Sequence, residues 1–86
     1  MKLNNGPGNI RAVLDPEATG ERIRMLRIQR GLSVEELARM VGDVSVQTIY
    51  KWQRGESVPS ADNMIPLSEI LQVPVDGFLC RKYLAA

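Results

Sequence analysis

The strongest hydrophobic pattern in the chain lies between Leu32 and Gly55, and it predicts two short helices joined by a tight turn. Ser33 precedes an apolar-periodic run and Glu36 follows three residues later, the reciprocal serine–glutamate box that marks a helix start. Leu37, Ala38 and Val41 then make one apolar stripe, and Gly42 stops the helix. Asp43 and Val44 form the turn. Ser45 is placed to cap a second helix, which runs to about Gln53 or Arg54 and ends at Gly55. At about 100° per residue, Ile49 and Trp52 share an inward face. Gln47, Tyr50, Lys51 and Arg54 lie together on the opposite side.

Weaker patterns flank this pair. Asp15-Pro16-Glu17 combines a capping acid, a proline at the first helical position and an acid near the positive end of the dipole. It predicts a helix to about Arg30, closed by Gly31, with Ile23 and Leu26 as its core stripe. Gly20 costs this helix about 1 kcal/mol relative to alanine, which predicts a loose first turn. Arg27 falls on the inward face, and so does Gln53 on its own helix. An unpaired buried donor costs about 1–3 kcal/mol, so the two side chains are expected to hydrogen-bond. The alternative is that Arg27 lays its stem on the core and carries its head to water.

Beyond Gly55, a loop through Pro59 leads to Ser60, which caps a fourth helix with Met64, Leu67, Ile70 and Leu71 as its stripe. Pro66 inside that stripe predicts a kink or a late start. Val73-Pro74 ends the helix, and Val75–Leu79 predicts a last helical turn that tucks Phe78 and Leu79 under the bundle. Residues 1–14 open with turn chemistry and are expected to form a flexible arm, of which Ile10–Leu14 could be a short extended piece. Residues 81–86 are expected to be a frayed tail. The fold class is therefore all-α, a compact bundle of four to five short helices, with residues 15–80 as the domain.

The residues from Gly20 to about Phe78 resemble the phage Cro and phage repressor type of helix-turn-helix domain, the XRE family. The resemblance rests on Arg22-Ile23-Arg24, Leu26-Arg27, Gly31-Leu32-Ser33, Leu37-Ala38 with Gly42, Thr48 to Trp52, Arg54-Gly55, Pro59, and the run through Leu67 and Leu71. It implies a lambda-repressor-like fold in which the second helix of the pair enters the major groove while the first crosses the backbone. Val46, Gln47 and Lys51 then face the bases, and Thr48 and Tyr50 lie near the phosphates. Three positions depart from the pattern. Asp43 looks like a one-residue insertion in the turn. Val34 replaces a glutamine that touches phosphate, and Gln53 replaces a glutamate that pairs with the arginine matching Arg27.

Charge and chemistry sharpen this picture. The net charge is only +1, but residues 21–55 hold seven basic side chains against four acidic ones, so the positive charge gathers on the segment with the outward helix face. The chain of 86 residues is the size of one domain, so no separate ligand-sensing unit is expected. No apolar run approaches the roughly 20 residues of a membrane span, and no signal-peptide pattern opens the chain, so a cytoplasmic location is expected. The single cysteine, Cys80, excludes an internal disulfide and is expected to be a packed small side chain. Histidine, the usual general base and zinc ligand, is absent.

Neither a phosphate loop nor a nucleophile with its base is visible, so an enzyme is not expected, nor is any cofactor, metal or small-molecule ligand. The expected partner is double-stranded DNA, bound by a homodimer acting as a transcriptional repressor. Backbone amides at the helix starts near Ser33 and Ser45 take phosphates, Arg39, Lys51 and Arg54 add charge, and Gln47 with Lys51 reads bases. The competing reading is a protein-binding module, such as an antitoxin or anti-regulator subunit. Its contact patch combines Met25, Ile28 and Phe78, with Tyr83 and Leu84 nearby.

Overall fold

Each apolar stripe becomes a helix whose start is fixed by a capping side chain. A computed structural model describes residues 10–85, with α1 over Pro16–Gln29, α2 over Val34–Val41, α3 over Val46–Arg54 and α4 over Ala61–Leu71. Asp15 accepts a hydrogen bond from the Ala18 amide at 3.0 Å. Ser33 Oγ accepts from the Glu36 amide at 3.0 Å, and the Ser33 amide donates back to Glu36 Oε1 at 2.8 Å. Ser45 Oγ accepts from the Thr48 amide at 3.1 Å. Ser60 has the extended backbone of a cap but makes no side-chain bond; its carbonyl accepts from the Asn63 and Met64 amides instead. Helix α4 starts at Ala61 and continues through Pro66, so the late start expected from that proline does not occur. A 3-10 turn, Val75–Gly77, follows, and Phe78 behind it is completely buried.

The core gathers Ile23 and Leu26 of α1, Val34, Leu37 and Ala38 of α2, Ile49 and Trp52 of α3, Leu67 and Leu71 of α4, and Phe78. Burial of each large apolar side chain contributes about 1.5–3 kcal/mol. Val34 thus has a packing role, which accounts for an apolar residue at this position.

Gly20 is not a loose point in α1. A Cβ on Gly20 would stand 2.0 Å from the Trp52 carbonyl oxygen and 2.8 Å from that of Gln53, so α1 and α3 touch backbone to backbone there. The propensity cost of a helical glycine is accepted because nothing larger fits the crossing. At the same C-terminal end of α3, Gly55 takes a left-handed φ of 76° and a Cβ there would meet the first turn of α1 at Glu17. Both glycines set where α3 lies.

The expected all-α class needs correction, because the two ends of the described chain pair. Ile10–Leu14 (β1) and Arg81–Ala85 (β2) form a two-stranded antiparallel ribbon, registered from Ile10 opposite Ala85 to Leu14 opposite Arg81. Its root is fastened to α1: the Asp15 amide donates to the Cys80 carbonyl at 2.8 Å, and the Cys80 amide donates to the buried Thr19 hydroxyl at 2.9 Å. These two bonds bring the chain ends side by side, so Ile10–Leu14 is not a free arm and Arg81–Ala85 is not frayed. The part of the expected arm before Ile10 lies outside the described residues.

Candidate nucleic-acid interface

Helix α3 is held from below and open above. Ile49 and Trp52 are buried, whereas Gln47, Tyr50, Lys51 and Arg54 are exposed on one outward face, as the 100° step requires. The orientation is locked by polar bonds as well as packing. Arg27 Nε of α1 donates to Gln53 Oε1 at 2.9 Å, and the same guanidinium donates through Nη1 to the Leu32 carbonyl at 2.7 Å. The polar pair expected from the two inward faces therefore forms. It ties α1, the α1–α2 junction and α3 into one unit, and the guanidinium meets a neutral amide rather than a carboxylate.

The starts of α2 and α3 differ in charge. Helix α2 carries Glu35 and Glu36 in its first turn. The bond from the Ser33 amide, followed by that from the Ser33 hydroxyl, holds the Glu36 carboxyl below its usual value. Helix α3 has no acid in its first turn, and Ser45 shares its hydroxyl with Thr48 Oγ1 at 3.0 Å as well as with the Thr48 amide. Among the described residues, the first-turn amides of Val46 and Gln47 find no acceptor. Such a terminus attracts an anion through both its N–H groups and its dipole.

The nine expected site residues distribute unevenly. Ser45, Gln47, Lys51 and Tyr50 share the outer side of α3 and its start, and Thr48, half-buried, is engaged with Ser45. Val46 packs partly against the core, so its side chain is only partly available. Arg39 is exposed on the last turn of α2. The Ser33 amide donates to Glu36 Oε1, and Glu35 and Glu36 put two acids beside the remaining amides near that helix start. Arg54 is exposed but forms an ion pair with Glu56. That bond raises the Arg54 guanidinium pKa and lowers the Glu56 carboxyl pKa, with Lys51 adding a weaker pull on Glu56. Glu56, in the loop after α3, is not among the expected site residues; its place two residues after Arg54 is the signal in the sequence for this pair. Gly20 was misread, because a close helix crossing leaves no mark in the local pattern.

The geometry is a pair of short serine-capped helices, one start carrying two acids and the other none. Residues 23–78 match the helix-turn-helix family. A transcriptional regulator from the ATPase CF(0) region of Rhodospirillum rubrum is 41% identical over 59 residues, covering 69% of this chain and 54% of that one. The repressor protein C2 of Salmonella phage P22 is 36% identical over 66 residues, covering 77% of this chain and 30% of the repressor. The P22 c2 repressor has also been solved with a synthetic operator; its fold superposes with a TM-score of 0.67 over 71% of this chain and 91% of that one, at 39% identity. The restriction-modification controller protein C.AhdI from Aeromonas hydrophila gives a TM-score of 0.69 over 74% of this chain and 96% of that one, at 30% identity. This chain belongs to the helix-turn-helix family, in the branch of the phage Cro proteins and repressors. It spans only about half, or less, of the length of these curated relatives.

Proposed function

We propose that the protein is a sequence-specific double-stranded DNA-binding transcriptional regulator, acting as a repressor from the cytoplasm without catalytic activity. The observation that carries this reading is α3: four long polar side chains or aromatics on one exposed face, above a helix start that has free amides and no acid. Gln47 and Lys51 have the reach and chemistry to hydrogen-bond base edges in a major groove. The Val46 and Gln47 amides with Ser45 take a phosphate, and Thr48, Tyr50, Arg39 and Arg54 follow the backbone. Residues 15–80 form the DNA-binding unit. The family relation to a repressor solved on its operator supports the same reading. In the described residues no helix is long and apolar enough to cross a membrane.

One such unit makes few base contacts, so a homodimer on a palindrome is the natural binding form, with half-site centres about 34–36 Å apart. Selection of bound duplexes from a random pool, repeated at two salt concentrations, tests the proposal. An enriched palindromic motif is expected, with affinity falling by a slope of about −0.9 per neutralised phosphate. A pool without enrichment, retained equally at both salts, would overturn it in favour of a protein partner.

A further inference from the structure

Arg22, Arg24, Arg27 and Arg30 follow one another along α1 and its C-terminal cap, and the fold employs them differently. Arg24 forms an ion pair with Glu21 at 3.3 Å. Arg22 Nε donates to the Gly77 carbonyl at 3.0 Å, and Arg30 Nε to the Leu71 carbonyl at 3.2 Å, at the C-terminus of α4 where the helix dipole is negative. Both of these side chains are exposed, so water solvates the rest of their charge. Arg27 is half-buried and has neither kind of compensation. Its two acceptors, Gln53 Oε1 and the Leu32 carbonyl, are neutral, and the second stands just before the Ser33 cap of α2. Among the described residues it enters no ion pair.

The unused part of this guanidinium is open. Arg27 Nη2 donates to no acceptor among the described residues, yet no buried side-chain nitrogen or oxygen there lacks a partner, so Nη2 reaches the surface. Two bonds fix the head in the seam between the α2 start and α3, and its remaining N–H groups suit a phosphate oxygen. A carboxylate at position 53 would keep the same bond and cancel the charge. The first turn of α2 carries Glu35 and Glu36, so a phosphate drawn to the amides there needs a cation close by. We propose that Arg27 supplies a DNA phosphate contact beside the α2 start, and that Gln53 sets DNA affinity by holding Arg27 through a neutral amide. It rests on the DNA-binding reading and adds to it two residues outside the exposed face of α3. Arg27 touches the phosphate; Gln53 is a positioning residue that acts through Arg27.

Melts and salt titrations of the parent, Gln53→Glu and Gln53→Met test it, with a duplex from the selected pool as the probe. Gln53→Glu keeps the side-chain shape and should melt no lower than the parent. Its plot of log affinity against log salt should be shallower by about 0.9, one neutralised phosphate fewer. Between about 50 and 200 mM salt the gap to the parent should therefore close by about three- to fourfold. Gln53→Met removes the acceptor and adds no charge; it should melt lower and bind more weakly at every salt, with the slope of the parent. A Gln53→Glu slope equal to the parent's overturns the inference. So does a Gln53→Met slope as shallow as that of Gln53→Glu, which traces the effect to the seating of α3 rather than to charge. A Gln53→Glu chain that melts well below the parent overturns it too, because Arg27 then does not hold the carboxylate. A parent that retains no duplex sinks the DNA reading as a whole, whereas salt-dependent binding with one slope common to all three chains sinks only this inference.

Discussion

Helices α2 and α3 are nearly the same length and both begin at a capping serine, yet the first turn of one carries two acids and that of the other carries none. In α2, the Ser33–Glu36 box returns a carboxylate to the N-terminus and satisfies the Ser33 and Glu36 amides. In α3, the Ser45 hydroxyl satisfies one amide, Thr48 takes the place of the returning acid, and the dipole keeps its positive end. A capping box maximises stability; a half-made one leaves attraction for an anion. On the proposed function the contrast separates a supporting helix from a binding one, and it can be broken or sharpened by substitution.

The largest expected effect comes from destroying the support of α3. Trp52→Ala removes its main buried side chain and should cost about 3–5 kcal/mol of folding stability, enough to unfold a small domain. Thermal melting checks this; a variant that melts like the parent would mean that α3 is rotated the wrong way. Gly20→Ala should come next, at about 1–3 kcal/mol or more, because the added Cβ collides with carbonyl oxygens on α3 rather than with a side chain that can swing aside. An ordinary exposed glycine in a helix would gain stability from the same change, so the sign of the melting shift decides whether the crossing is as close as described.

Changes on the open side should leave melting nearly unaltered. Lys51→Ala is expected to weaken DNA binding by about 1–3 kcal/mol if it makes a base contact, and Gln47→Ala to relax preference at one base position. Gln47→Glu sharpens the contrast further, since it gives α3 the acid that α2 already has. An acid there stabilises the helix by about 0.3–1 kcal/mol, while binding to DNA should fall below that of Gln47→Ala. Parallel melts and titrations would reject the contrast if stability and binding moved in the same direction.

Much of this molecule is written in local pattern. The caps at Asp15, Ser33 and Ser45, the left-handed stop at Gly55 and the inward pair Ile49 and Trp52 each follow from residues within one helix, where chemistry and geometry share a short range. The Arg27–Gln53 bond is legible too, because two polar residues on inward faces need partners. What escapes is long-range. Gly20 has the same sequence signature whether its neighbour is water or a helix backbone. The ribbon depends on a Thr19 hydroxyl meeting the Cys80 amide, a contact between distant segments that no period announces. Val46 and Ser33 show what local pattern leaves out at the site: the core takes part of the Val46 side chain, and the Glu36 carboxylate takes the Ser33 amide.

The smallest expected effects come from two carboxylates, Glu36 in the first turn of α2 and Glu56 behind α3. Both Glu36 and Glu56 titrate below the ordinary carboxyl value of 4.5, through the Ser33 bonds and the Arg54 bond respectively. A carboxyl depressed by folding lends stability above its unfolded pKa and loses it as pH falls through its lower folded pKa. Acid should therefore remove a small contribution at α2, and Glu36→Gln, which preserves the box geometry, should flatten that part of the stability–pH curve. Glu56 matters for binding rather than melting. In the free protein it occupies Arg54, so a phosphate must displace it and also lies near its negative charge. Glu56→Gln should tighten binding modestly at low salt and lose the advantage as salt rises, since exposed charges are screened within about 8 Å at physiological ionic strength. Titrations of parent and variant across a salt series measure this directly. Equal affinity at every salt would place Arg54 away from the phosphates and leave the open start of α3 with Lys51 as the main electrostatic contact.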